Sequence, residues 1–495
     1  MSGIPSWYYA SRGNRHIWLW QQFQMYGSKI RVAPNTVLFC DPQAHADIYS
    51  YKSNVQRSKF YTAFQRDDRD KTTLNTVDIA EHAFKRKLIN LAFTEKSVRA
   101  AADFVIQHTD RWNQLLVDGK DESKWSDSID ISEKIDALVF DIMGDLCFGA
   151  SFDIKEPGEN PWKNVPHNIV DYMKLYYSIC RSPFLDLLVW LKPRGVNRIF
   201  ALLTPPPVQR YYQFVYDSVS KRIALQKAQA TKPDAERRKD FFYFLCEARN
   251  PDTGLPAYDD IDLRAEANLL IIAGSDTTAI SLSGIFFYLT GDQHRYQKLV
   301  RELRTTFKSV DDIVYGPTLN NCISLKACID ESMRLTPTGP SELSREVLPG
   351  GIKILGQYYP QGTIVGTSAW ADSRNQEVYG DPEIFRPERW IVGDEQGYPN
   401  TKEDVARLRR NFFPFASGPG NCVGQNVAMS EIMLVVARTL HRLDVRRTPG
   451  STMGAGAPEL GWGSRDRKQL QLADAYIALR RGPEVQFRRA AVHDS

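Results

Sequence analysis

Charge of one sign is what this chain most lacks. Its 63 lysines and arginines stand against 59 acids, and an excess of +4 over 495 residues argues for neither nucleic acid nor another strongly charged partner. Cysteine is sparse as well. The seven (Cys40, Cys147, Cys180, Cys246, Cys322, Cys328 and Cys422) are scattered, odd in number and never spaced as CxxC. That fits a reducing compartment and excludes a zinc ribbon. The eight histidines include no HExxH pair. The amino terminus has no signal-peptide plan, and no run of ~18 apolar residues that could span a membrane. Repeats, low-complexity segments and inter-domain linkers are absent too, which leaves a chain long enough for one large core.

What is present reads as mostly helix with small sheets. The first residues are aromatic (Trp7, Tyr8, Tyr9, Trp18, Trp20, Phe23, Tyr26); such residues favour membrane interfaces, but packing of a first helix on the domain is the expectation. Lys29 to Asp41 predicts two short strands around Ala33-Pro34-Asn35, and Pro42 to Tyr51 a helix. Lys59 to Val77 predicts a long loop of the kind that acts as a lid. Ala80 to Phe93 carries a helical stripe of Ala80, Ala83, Phe84, Leu88, Leu91 and Ala92. Helices follow to Lys227, and the charged run Lys227 to Asp240 predicts an exposed connection. Leu263 to Leu289 is the longest apolar segment; Asn268, Asp276 and its hydroxyl residues favour a central core helix over a lipid-facing one. Ile323 to Leu335 predicts a helix stopped by Pro337, Gly351 to Trp370 a hairpin around Pro360-Gln361-Gly362, and Leu470 to Phe487 a small strand pair.

Four patterns carry chemistry. Phe415 to Gly424 (FASGPGNCVG) puts Cys422 in a glycine-rich loop ahead of an apolar-striped helix, Val427 to Leu440. Backbone N–H groups in such a turn can point at a thiolate, though a lone cysteine is more often a buried thiol. Ala273 to Thr278 (AGSDTT) places Asp276 and Thr277 mid-helix. An acid beside a hydroxyl can pass protons into a closed pocket, and Gly274 predicts a local widening that makes room for a ligand; a satisfied polar cluster in a kinked core helix is the bland alternative. Glu331 and Arg334, at i and i+3, can pair on one face, and Arg389 in FRPERW can complete a buried cluster. Finally His82 and Arg86, at i and i+4, with Arg345, are basic groups placed to meet acidic ones.

AGSDTT, ESMR, FRPERW and FASGPGNCVG follow one another in an order and spacing that resemble the cytochrome P-450 haem-thiolate monooxygenases, of eukaryotic, fungal microsomal type. The resemblance runs from about Tyr26 to the carboxyl end. It implies a mainly α, single-domain cytochrome P450 fold with small β-sheets. It implies haem b, with Cys422 as axial thiolate, a ligation that favours O–O cleavage. Asp276 and Thr277 match the acid–alcohol pair that relays protons. Glu331, Arg334 and Arg389 would be structural. His82, Arg86 and Arg345 would hold the haem propionates, Phe415 would pack beside the thiolate, and Gly418 and Gly424 would let the cofactor lie close. Two departures stand out. Many members have Arg or His two residues before the cysteine, where this chain has Gly420, and a Trp where it has His82. Microsomal members also begin with a membrane anchor and a proline-rich hinge. This chain starts where that hinge would end, so residues 1–28 are expected to be an aromatic segment without an anchor and 29–495 the haem domain.

The function so implied is insertion of one oxygen atom from O2 into an apolar small molecule in fungal secondary metabolism. A fatty-acid or xenobiotic hydroxylase is the alternative substrate reading. A haem-thiolate isomerase or dehydratase, and a non-catalytic haem binder, are alternatives of other classes against which Asp276 and Thr277 argue. The expected partners are an NADPH-cytochrome P450 reductase, with cytochrome b5 admitted as a second donor; O2; the substrate; and a membrane surface. The expected state is a monomer at the cytosolic face of the endoplasmic reticulum, soluble or peripheral as the chain stands. The expected pocket walls are Lys59 to Val77, Ile271 to Thr277 and Thr338 to Leu343, with Glu342 and the Arg66–Arg69 charges nearby.

Overall fold

A helix that is apolar on every side must be buried on every side, and the segment Asp260–Gly291 shows this. In the structure, a computed structural model, it is the central helix. Asp259 caps it, accepting from the N–H groups of Ile261 and Asp262, and Asp292 both follows it and caps the next helix, Gln293–Thr306. Among the described residues it is the one helix long and apolar enough to cross a membrane, and most of it lies inside the protein. The described residues are 2–491 apart from 66–70, 120, 122–123, 197–198, 200–201, 203, 234–235 and 396.

Around the central helix pack Ile131–Phe148, Ile323–Leu335 and Gln425–Arg442, which share its apolar cluster. Gly274 faces Met143 of the first of these: a β-carbon there would stand 2.4 Å from the methionine Cε. The helix is unbroken at that point. The expected widening is therefore corrected: Gly274 lets a neighbouring helix approach and opens no space within its own.

A five-stranded sheet lies to one side, in the order Lys29–Ala33, Thr36–Phe39, Ile364–Thr367, Arg345–Val347, Val55–Arg57. The second and third strands run parallel and the other neighbours antiparallel. The predicted hairpin of Gly351 to Trp370 is shifted. Its turn is Leu355-Gly356, both at positive φ (51° and 75°), between Ile352–Ile354 and Gln357–Tyr359. Pro360–Thr363 instead leads into the large sheet. Leucine is costly in a left-handed position, so this turn carries little sequence signal.

The amino-terminal helices Ile4–Ser11 and Arg15–Tyr26 pack on the domain as expected, burying Arg15, His16, Ile17, Leu19 and Phe23. On the helix Ile79–Ala92 the buried set is Lys85, Leu88, Ile89 and Ala92, while Phe84 and Leu91 of the predicted stripe are exposed. Lys227 to Asp240 is less exposed than its charge suggests. The helix Pro206–Gln229 runs into it, and Gln229 and Asp240 are buried, the latter paired with Arg222 at 2.7 Å. Lys59 to Val77 is only partly loop, since Lys59–Ala63 is helical.

Candidate functional site

The cysteine loop closes on itself and on a helix. Cys422 N–H donates to the Phe415 carbonyl at 2.9 Å. Gly418 has φ +64°, and any side chain there would begin 1.8 Å from the Tyr49 carbonyl oxygen, at the end of Pro42–Tyr49. His45 of the same helix meets Ser417 Oγ through Nε2 at 2.9 Å and Thr367 Oγ1 through Nδ1 at 3.1 Å, and its ring stacks on Phe413. Of the seven cysteines Cys422 is the exposed one. Protein still surrounds it closely, and burial pushes the thiol up while the Gly424 N–H and Arg86 pull it down. A β-carbon at 424 would lie 4.0 Å from Cys422 Sγ, so glycine keeps the sulfur uncovered. Phe415 is partly buried against the main core.

Beside the loop stand the basic groups. Arg86 reaches it directly, donating to the Asn421 carbonyl and, at 2.8 Å, to Asn421 Oδ1. Arg345 is buried, with Nη1 on the carbonyls of Leu343 and Ser344 and its guanidinium 5.1 Å from the Tyr49 ring centroid. His82 is lowered to about 3 by burial and by Arg57, Arg86 and Arg345. Arg57 was not foreseen. It closes the strand Val55–Arg57, and only the sheet register, invisible in sequence, brings it opposite Arg345.

On the central helix Asp276 and Thr277 are adjacent and half-buried. Burial and the neighbouring Asp136 raise the Asp276 carboxyl to about 7 against the pull of Arg480. Thr277 Oγ1 donates to the Ala273 carbonyl at 2.7 Å, which leaves its lone pairs free to accept.

Glu331, Arg334 and Arg389 meet in the interior. Arg334 gives Nε and Nη2 to the carboxylate at 2.9 Å each, and Arg389 gives Nε at 3.0 Å. Two further donors are the Trp390 indole at 3.0 Å and the Arg386 N–H at 2.9 Å. Burial alone would raise Glu331, but the two guanidiniums prevail and hold it down to about 2. Arg334 also donates to the carbonyls of Ser373 and Pro382, tying the helix Ile323–Leu335 to the segment that leads to the cysteine loop.

Of the expected pocket walls, Arg66–Arg69 lie outside the described residues. Glu342 is no free charge: it is buried between Arg15 and Arg181, which hold it at about 2 despite the burial. Phe60, Tyr61 and Phe64 pack with Tyr176, Tyr177 and Tyr476. Tyr476, at φ +76° between the strands Ala473–Ala475 and Ile477–Leu479, comes from a hairpin whose place in this wall the sequence does not announce.

A cysteine left uncovered at the head of a long helix, with guanidiniums beside it, defines a haem-thiolate architecture of mainly helical build. The Cytochrome P450 family model matches residues 6–457. The chain belongs to the cytochrome P450 family. It is a haem-thiolate enzyme of the monooxygenase class, and haem b is its cofactor. Its relatives include a cytochrome P450 monooxygenase of Gibberella zeae, 31% identical over 90% of this chain and 97% of its own length. Cytochrome P450 monooxygenase fscF of Fusarium equiseti is 30% identical over 98% and 89%, and poxM of Penicillium oxalicum 31% over 97% and 86%. The donor set fits haem: an exposed thiol in the loop, with the cations Arg57, Arg86 and Arg345 gathered around His82 beside it.

Proposed function

We propose that the chain oxidises an apolar small molecule of fungal secondary metabolism (terpenoid, polyketide or peptide-derived), in which Cys422 would hold the haem iron through its thiolate and His82, Arg86 and Arg345 would hold the haem carboxylates. The observation that carries the substrate class is the neutralisation of Glu342 by two arginines. With that charge cancelled, the described walls are aromatic, aliphatic and hydroxyl-bearing, which suits an uncharged substrate.

Haem bound through Cys422 supplies dioxygen activation and insertion of one oxygen atom into a C–H bond. The chain supplies the protons. Asp276, raised to about 7, holds and releases a proton near neutral pH. Thr277, its own hydrogen engaged by Ala273, accepts from a donor on one side and must turn to pass a proton on. Glu331, Arg334 and Arg389 keep the approach to the loop rigid, and Phe415, Gly418 and Gly424 shape its near side.

Electrons come from a separate NADPH-dependent reductase on the Cys422 side. The helix that brings Arg86 to the loop leaves Phe84 and Lys87 exposed there, which supports a docking face. Residues 1–28 adjoin a membrane surface in this reading. Support comes from exposed Ile4 and Tyr8, and from Leu185–Leu191, which buries no residue and exposes Leu187 and Trp190.

The test is NADPH consumption with added reductase across a metabolite panel first screened by binding spectra. Substrate-dependent consumption with an oxygenated product is expected. Turnover without NADPH would favour an isomerase, and no turnover with any compound a carrier.

A further inference from the structure

The turn that leads into the cysteine loop holds one residue in a conformation its side chain disfavours. Ala416 has φ +55°, in the left-handed region, where a β-carbon crowds the following carbonyl and glycine alone rests without cost. A residue of another type stays there when its surroundings hold it. The turn's own bond, from the Ala416 N–H to the Phe413 carbonyl at 3.0 Å, fixes the near side alone. The conformation matters to the cysteine, because the Phe415 carbonyl, one residue earlier, accepts the Cys422 N–H at 2.9 Å.

One side chain grips both flanks of Ala416. The His45 ring lies on the Phe413 ring, with centroids 3.8 Å apart and planes 6° from parallel. Its Nε2 meets Ser417 Oγ at 2.9 Å. Phe413 stands ahead of the left-handed residue and Ser417 directly after it. The far edge of the ring is fixed as well: Nδ1 meets Thr367 Oγ1 at 3.1 Å, at the end of the middle strand of the five-stranded sheet. Burial and then Arg345 lower the ring to about 4, so it is neutral near pH 7. A neutral imidazole has one N–H and one lone pair, and here both face protein hydroxyls. The ring therefore has no polar atom left for the cofactor, and its bonds tie the loop to the sheet.

We propose that His45 is a positioning residue for the thiolate: by clasping Phe413 and Ser417 it holds Ala416 left-handed, and so keeps the Phe415 carbonyl on the Cys422 N–H. The inference rests on the haem-thiolate reading of Cys422. It places control of the cysteine's orientation outside the loop, in the helix Pro42–Tyr49 and in the strand that carries Thr367.

The experiment uses the haem-loaded full chain and times the decay of the red-shifted Soret band of its reduced carbonyl complex, beside thermal unfolding. His45→Ala removes both holds and should shorten the band's lifetime by about tenfold or more, the scale of one or two buried hydrogen bonds. Ser417→Ala removes the hydrogen bond and keeps the ring stack, so it should shorten the lifetime less. Ser417 is half-buried, and its variant tests the grip even where His45→Ala does not accumulate. Ala416→Gly is the discriminating change. Glycine takes the left-handed conformation freely, so it should restore most of the lifetime in both backgrounds and alter the parent little. A histidine that served the fold alone would lower the unfolding temperature in His45→Ala with no rescue by Ala416→Gly, and that result overturns the proposal. So does a parent-like band lifetime in both His45→Ala and Ser417→Ala. A parent without the red-shifted band sinks thiolate ligation itself, whatever His45 does.

Discussion

Tyr49 closes over Gly418, its carbonyl oxygen standing 1.8 Å from the point where any side chain at 418 would start. The φ of +64° adds a second demand for glycine, since a left-handed L-residue costs about 1–2 kcal/mol. Gly418→Ala must therefore push the loop off the Pro42–Tyr49 helix. It should bind less haem and melt lower than the parent, by absorbance titration and thermal unfolding. Parent-like values for both would show that the loop does not rest on Tyr49.

Cys422 is the one cysteine of seven that is exposed and lies at the head of a helix in a glycine-bearing loop. Cys422→Ala is expected to abolish the strongly red-shifted Soret band of the reduced carbonyl complex. A band that survives would move the ligand elsewhere.

Glu331 has an acid-side signature. Its carboxyl, ordinarily at 4.5, is held at about 2 in the folded state. A depressed carboxylate contributes stability in full above its unfolded value and loses it as pH falls through the folded one. Glu331→Gln leaves Arg334 and Arg389 buried beside a neutral amide, at a cost of ~3–5 kcal/mol. Urea midpoints of parent and variant should differ widely at pH 7 and converge as pH falls from 4.5 towards 2. A gap that does not narrow would mean that packing, not charge, sets the loss.

Asp276 runs the other way. Its carboxyl is raised from 3.8 to about 7, so between those values the folded protein holds a proton that the unfolded chain has released. Stability contributed there falls as pH rises, and Asp276→Asn should remove that slope. The same substitution should flatten the limb near pH 7 in product formation, measured with reductase and a turned-over substrate.

Thr277 is adjacent, with its hydroxyl on the Ala273 carbonyl at 2.7 Å. Thr277→Ala should divert reducing equivalents from product to hydrogen peroxide, read as the ratio of product to NADPH consumed. Unchanged coupling would remove the hydroxyl from the relay.

The parts of this molecule legible in sequence are those set by local pattern. Ile323–Leu335 follows its expected bounds because apolar periodicity and Pro337 define both ends, and the Lys29–Ala33 and Thr36–Phe39 strands follow their turn. Glu331 and Arg334 are three residues apart, so one helix turn explains their meeting. Arg57 and Arg345 are brought together by sheet register across most of the chain, and no local pattern encodes that. Glu342 looked like a charge in the pocket because Arg15 and Arg181, which cancel it, are distant in sequence. Gly274 looked like a weak point because Met143, the side chain it makes room for, belongs to another helix.

The Arg15–Glu342–Arg181 contact has a practical side. It fastens three otherwise separate pieces: the second amino-terminal helix, the end of Val165–Cys180, and the stretch that runs on three residues later into Arg345. Shortening the chain past Arg15 to make a simpler expression version would strip one of the two cations from a buried carboxylate. The disturbance would be felt not at the trimmed end but at the haem edge, so the useful cutting sites lie ahead of residue 15.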